Sequence, residues 1–162
     1  MNCTIVRKIS FEELEACAQL VRESFGTVAE QFHLTRQNCP TNGAFIERSR
    51  LETDWHRGIL MYGLYDGKSM IGFMQLEQKF ADIFELEKLA VKPAYRHLGN
   101  GAALLSFAVQ TAAEMGAKKM TIGIIEENTV LKEWYQTHGF VHTGTKRLDH
   151  LPFTVGLMEI AV

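Results

Sequence analysis

The sequence predicts an α/β protein: one mixed sheet, mostly antiparallel, with helices on both faces. Three observations lead there. Period-two and period-3.6 hydrophobic segments alternate along the whole chain. A run of antiparallel strands, one pair joined by Asp66-Gly67, occupies the middle. A strand–helix–strand step follows, which demands one parallel pair and a crossover.

The elements follow in order. Cys3 to Ile9 alternates and reads as a strand. Ser10 and Glu13 have capping-box spacing and open a helix. Phe11, Leu14, Cys17, Ala18, Val21 and Phe25 recur at helical spacing, and Gly26 is the expected stop. Thr27 to Pro40 has no readable period. Asn42 to Arg57 is expected to be helical and mostly polar, with Phe45, Ile46, Leu51 and Trp55 as its apolar positions. This region is expected to be mobile or to line a substrate pocket. Leu60 to Tyr65 and Ser69 to Gln78 form a hairpin about Asp66-Gly67, and Ile83 to Val91 is a third strand ended by Pro93. Gly101 to Met115 is a long apolar helix closed by Gly116. Lys119 to Ile125 is a buried strand, and Thr129 to His138 a helix closed by Gly139. Phe140 to Leu148 and Phe153 to Ala161 are the last strands. Met61, Met70, Met74, Met115 and Met120 are expected to fill the core.

The chain has 162 residues, expected to form one domain over 1–162. A chain of this size buries roughly two-thirds of its unfolded surface without staples. Its formal net charge of −2 lacks the basic excess of a nucleic-acid binder. The odd set Cys3, Cys17 and Cys39 fits neither a disulfide framework nor a metal site, and points to a reduced, cytoplasmic protein. Met1 to Lys8 lacks the apolar core of a signal peptide, and no run approaches the roughly 20 apolar residues of a membrane span. No membrane or nucleic-acid partner is expected. The six histidines show no metal spacing, and no metal is expected; His138 and His142 are separated by a helix break at Gly139-Phe140.

The most informative stretch is Val91 to Ala103, where a strand ends, a loop with Arg96, Gly99 and Gly101 follows, and a long helix begins. The first amides of a helix have no internal partners and the helix dipole favours anions there. Glycines let backbone approach a phosphate and Arg96 adds a charged donor. A tight strand-to-helix connection with an incidental arginine is the plain alternative. The spacing is neither the Walker nor the dinucleotide pattern.

Arg96-His97-Leu98-Gly99-Asn100-Gly101 resembles the R/Q-x-x-G-x-G/A signature of the GNAT acetyltransferase superfamily. A second stretch, Asn128 to Phe140, resembles that family's N-x-x-A-x-x-x-Y-x-x-x-G-F segment, with Leu131 where alanine is usual. The likeness covers Ser69 to Phe140 and is weak before Ile59. It implies the GNAT fold, a central sheet of about six to seven strands flanked by about four helices. It implies acetyl-CoA as co-substrate, its pyrophosphate held by Arg96, His97, Leu98, Gly99, Asn100, Gly101 and Ala102. Leu89, Ala90 and Val91 would pair with the pantetheine arm as an added strand does. Asn128 and Leu131 would adjoin the same arm, with Asn128 also capping its helix. A backbone N–H near Val91 would polarise the thioester carbonyl. A homodimer is also implied.

Acetyl transfer to an amine requires a base, an oxyanion donor and relief of the leaving thiolate. Glu85 and Glu87 share one face of the strand leading into the loop. Two close carboxylates resist both being charged, which raises one pKa. Family members often carry the general base where Glu85 stands; two solvated edge glutamates are the alternative. Tyr135 matches the family's general acid; a packed core tyrosine is the alternative. Together these imply transfer of acetyl to a primary amine of a small molecule or peptide. A non-catalytic acyl-CoA sensor of the same fold is the second reading, and transfer of a longer acyl chain a third. The acceptor site is expected from 27–57 and the hairpin about Asp149 to Phe153.

Overall fold

A computed structural model describes residues 3–162; Met1 and Asn2, the start of the stretch read above for a signal peptide, lie outside the described residues. One seven-stranded sheet runs in the order β1-β2-β3-β4-β5-β7-β6. Its strands are β1 (Thr4–Lys8), β2 (Leu60–Asp66), β3 (Ser69–Phe80), β4 (Ile83–Val91), β5 (Lys119–Ile125), β6 (Val141–Arg147) and β7 (Thr154–Ala161). Every pairing is antiparallel except β4 with β5. Four α-helices complete it: α1 (Leu14–Gln31), α2 (Arg48–His56), α3 (Asn100–Glu114) and α4 (Thr129–Thr137).

Alternation along the strands divides the core in two. On one face Tyr62, Leu64, Met74, Leu76, Phe84 and Leu86 pack against Leu104, Leu105, Ala108 and Ala112 of α3 and Tyr135 of α4. On the other, Met61, Phe73 and Ala90 meet Leu14, Cys17, Ala18 and Val21 of α1 and Leu51 of α2. The apolar spacing read in α1 and α3 is thus the spacing that covers the sheet.

Three local expectations are corrected. Gly26 does not end α1, which continues to Gln31. A helical glycine costs about 1 kcal/mol relative to alanine. The last turns offset this by burying Ala29 with Leu34 and Cys39, against Phe32 and Phe153. The true stop is His33, at φ +55. There the Leu34 N–H donates to the Ala29 carbonyl at 2.8 Å and the His33 N–H to Glu30 at 3.3 Å, the doubled closure of a left-handed helix cap. Second, Asn42 to Arg57 is not one helix. The Asn42 side chain caps a 3₁₀ turn by accepting from the Ala44 N–H at 2.9 Å. Ile46 is then extended and α2 starts at Arg48. Third, Met115 is 48% exposed rather than core, because it caps α3 where the chain turns outward.

The capping reading at Ser10 holds: its N–H donates to Glu13 Oε1 at 2.9 Å. The turn it opens is 3₁₀, Phe11 to Glu13, leading straight into α1. Glu13 also accepts from the Tyr65 hydroxyl at 2.6 Å and pairs with Arg7 at 3.1 Å, so one carboxylate ties β1, β2 and the head of α1. Burial alone would raise its pKa, but bonds from Arg7, Tyr65 and Ser10 outweigh burial and hold it at about 2, below the ordinary 4.5. A pKa lowered on folding contributes stability that is complete above the unfolded pKa and is lost as pH falls through the folded one. The native protein is therefore expected to lose about 1–2 kcal/mol from this group between roughly pH 5 and 2, the carboxylate being partly solvated. In Glu13→Gln that slope should flatten, as read by urea unfolding across pH.

Candidate active site

The site begins where the sheet comes apart. β4 and β5 pair only from Ile83↔Lys119 to Glu85↔Thr121. Beyond Glu85, β4 stays bonded to β3 on its other side: Gln75 pairs with Glu87 and Phe73 with Ala90. Between those pairs β4 has two residues, Lys88 and Leu89, where β3 has only Met74. This is a bulge, and Lys88 takes φ +52 to make it. The bulge bends β4, and by shifting the alternation it places Glu87 and Lys88 both toward α2 while Leu89 and Val91 pack with the α3–α4 core.

The gap is a cleft of about 720 Å³ that passes through the sheet, within the usual range for small-molecule sites. Glu85, Leu86, Glu87, Lys88, Leu89 and Val91 form its β4 wall, and Ile122, Gly123 and Ile124 its β5 wall. One end reaches α1 at Ser24, Phe25, Val28 and Gln31; the other reaches α4 at Leu131, Trp134 and Tyr135. The unpaired side of β4 is a strand edge able to take an extended ligand.

The glycine loop lies at the mouth. Gly99 caps α3 at φ +85, a left-handed conformation that glycine adopts without strain. His97 is also left-handed, at φ +62. Arg96, His97, Gly99, Gly101 and Ala102 line the cleft. Asn100 instead turns its buried amide to the Tyr95 carbonyl at 2.9 Å, bracing the loop. Leu98 points to solvent, 59% exposed, and Ala90 packs in the α1–α2 core. Arg96 is already engaged: its guanidinium donates to Thr27 Oγ1 at 2.9 Å, the Ser24 carbonyl at 2.8 Å and Ser24 Oγ at 3.2 Å. It therefore fastens the loop to α1 on both sides of Gly26.

Asn128 caps α4 by accepting from the Leu131 N–H at 3.2 Å, and both residues line the cleft. The Tyr135 ring is buried, held edge-on by Trp134 at 5.0 Å and Phe140 at 5.2 Å. Burial raises its pKa above the ordinary phenol value, so it stays protonated at neutral pH. The two carboxylates enter from the opposite face. Glu85 is paired with Lys79 at 3.3 Å, and Lys79 also holds Glu77 at 3.2 Å. Glu87 differs: burial, then contact with the Glu77 carboxylate, raises it from 4.5 to about 7, with Glu85 adding to the rise and Lys88 opposing it. One of two neighbouring carboxylates is indeed pushed up, but the partner that matters most is Glu77, across the ladder.

A sequence model of the acetyltransferase (GNAT) family matches residues 17–140. The chain belongs to the GNAT acetyltransferase family. The spermidine N(1)-acetyltransferase of Thermoplasma acidophilum is 28% identical over 90% of this chain and 93% of its own. Among solved structures, the PaiA N-acetyltransferase of Thermoplasma acidophilum in complex with coenzyme A superposes at TM-score 0.80 and 23% identity, covering 98% of this chain and 99% of that one. The ribosomal-protein-S18-alanine N-acetyltransferase of Escherichia coli superposes at 0.78 and 16% identity, over 98% and 94%. These two share the GNAT fold of the present chain.

Several residues in or behind the cleft carry no functional signal in the sequence. Reading Gly26 as a stop hides Val28 and Gln31, and Phe25 is legible only as one of the apolar positions of α1. Trp134 lines the cleft from a position that the matched Asn128 to Phe140 segment leaves open. Asp54 and Gln75, buried behind Glu87, had no motif to mark them. The hairpin about Asp149 to Phe153 packs beside the 27–57 region through Leu151 and Phe153, near Ala29 and Leu34, but does not line the cleft, to which 27–57 contributes only Val28 and Gln31.

At Gly99 a Cβ would meet nothing within 4 Å, so the cost of Gly99→Ala is conformational only. Thermal unfolding should show a loss of about 1–2 kcal/mol. An unchanged Tm would show that the loop has another conformation.

Proposed function

We propose that this GNAT protein transfers the acetyl group of acetyl-CoA to a primary amine of a small molecule or peptide. The observation that carries this is the unpaired edge of β4, flanked at one end by the α3 N-terminus, with the Glu87 carboxyl of the same strand lining the cleft. The pantetheine arm would extend along Leu89 to Val91, and the amides at the head of α3 would meet the pyrophosphate. The whole chain, 1–162, would act as one domain, since a single sheet runs from its first strand to its last.

The amine would enter from the α1–α2 side, where Glu85 and Glu87 stand. An alkylammonium has a pKa near 10 and must lose a proton before attack. Glu87, at about 7, is partly ionised at neutral pH and basic enough to take that proton directly or through water. Glu85, at the same place on the strand as the family's frequent base, is held by Lys79 and is better placed to orient the ammonium. The neutral amine then attacks the thioester carbon and the C–N bond forms; as the C–S bond breaks, the second amine proton passes to the departing thiolate, so the products are a neutral amide and the free thiol. Tyr135 would donate a hydrogen bond to the departing sulfur. A thiol is more acidic than this buried phenol, so the hydroxyl stabilises the thiolate rather than surrendering its proton. Among amines, polyamines are the first class to test, supported by the spermidine N(1)-acetyltransferase relative and by two carboxylates in the cleft.

The direct test reads product mass from acetyl-CoA with polyamines, amino acids and short peptides. Glu87→Gln should lower kcat/KM by about 10²–10⁴-fold and abolish an acid limb near pH 7, while Glu85→Gln keeps that limb. A limb that persists in Glu87→Gln and vanishes in Glu85→Gln assigns the base to Glu85. Tyr135→Phe should cost about 10–100-fold in kcat, the worth of a hydrogen bond to a charged group. No acetylated product from any amine counts against the activity.

A further inference from the structure

Behind the cleft lies a buried polar network that the chemistry above does not use. Gln75, in the middle of β3, is fully buried, and Asp54, on α2, is 2% exposed. Neither lines the cleft. The Gln75 amide nitrogen donates to Asp54 Oδ2 at 3.2 Å and to Glu87 Oε2 at 3.4 Å. Lys88 reaches the same pair, 3.3 Å from Asp54 Oδ2 and 3.8 Å from Glu87 Oε2. The other Asp54 oxygen faces Arg57 at 3.6 Å and Arg50 at 3.9 Å.

Gln75 Oε1 is, among the described residues, the one buried side-chain oxygen or nitrogen without a hydrogen-bond partner. Leaving a buried carbonyl unpaired is costly. The reason is visible in the geometry: turning the amide over would set that oxygen against two carboxylates. The donor end is thus held between Asp54 and Glu87. The bulge at Lys88 completes the arrangement, because without it the lysine would point to the opposite face.

We propose that Asp54 and Gln75 are positioning residues that set the protonation of Glu87 from outside the cleft. Asp54 draws the Lys88 ammonium away from Glu87, and Gln75 gives Glu87 its one amide donor. The two act in opposite senses. Asp54 keeps Glu87 basic by occupying the lysine; Gln75 restrains that rise by stabilising the carboxylate. The other charged groups around Glu87 are Glu77 on β3, itself held by Lys79 and Arg57, and Glu85 on β4. From α1 only the uncharged Ser24, Phe25, Val28 and Gln31 face the cleft.

This inference rests on the reading of Glu87 as the base, and the two are separable. The experiment measures pH profiles of kcat/KM for Asp54→Asn and Gln75→Met, beside the Glu87 carboxyl titration by ¹³C NMR in each protein. Asp54→Asn releases Lys88 to Glu87 and should move the acid limb and the Glu87 titration down by about one pH unit. Gln75→Met removes a donor with little change in volume and should move both up by about half a unit. A merely structural role would lower stability or activity at every pH and leave the limb in place. Unmoved titrations in folded Asp54→Asn and Gln75→Met overturn the inference, even where Glu87→Gln abolishes the limb. If the titrations move as stated but the limb does not follow, the network stands and the assignment of Glu87 as base fails.

Discussion

The β4–β5 ladder stops at Glu85 and Thr121, and the rest of the molecule's cleft follows from that break. A strand pair inside a sheet normally continues, because an unpaired edge leaves backbone donors and acceptors without partners. Here β4 keeps its β3 partner through an added residue at Lys88, bends, and presents its other edge to open space. Strand, bulge and gap make one device. They yield a slot through the sheet with α1 at one mouth and α4 at the other.

The same break separates the chemistry into two sides. The glycine loop, Asn128 and Tyr135 belong to the face covered by α3 and α4; Glu85, Glu87 and their basic partners belong to the face covered by α1 and α2. Low-dielectric packing acts on both sides, but differently. Around Tyr135 it keeps a phenol neutral. Around Glu87 it pushes a carboxylate to about neutrality, aided by Glu77 and limited by Lys88. Arg96 spans the two sides by binding Ser24 and Thr27, so one side chain ties the loop to α1.

Much of this was readable from residue order. The strands and α3 and α4 fall within a few residues of their expected bounds, because they carry strong periodicity and glycine or proline punctuation. Gly99, Gly116 and Gly139 each take the left-handed conformation such punctuation implies. Gly26 misled because local propensity there is overridden by packing: Ala29, Leu34 and Cys39 bury enough surface together to carry the helix past it. The stop fell on His33, a residue with no stop signal of its own. Ile46 broke the expected 42–57 helix for a similar reason, its side chain being drawn into the α1–α2 core.

By itself the sequence determined the class of sheet and the loop that caps α3, since these depend on short-range spacing, and through its resemblance to the GNAT family it pointed to Asn128, Leu131 and Tyr135, which line the cleft. It could not decide between Glu85 and Glu87. What sets the two apart in the fold is the burial of Glu87 and its contact with Glu77, a residue ten positions earlier that meets it only when β3 and β4 pair. Nor could it show the bulge, because an extra residue in a strand leaves no mark in an apolar pattern until its partner strand is in place. Electrostatics at a buried group are set by whatever folding brings within a few ångströms, and that is a property of the tertiary structure alone.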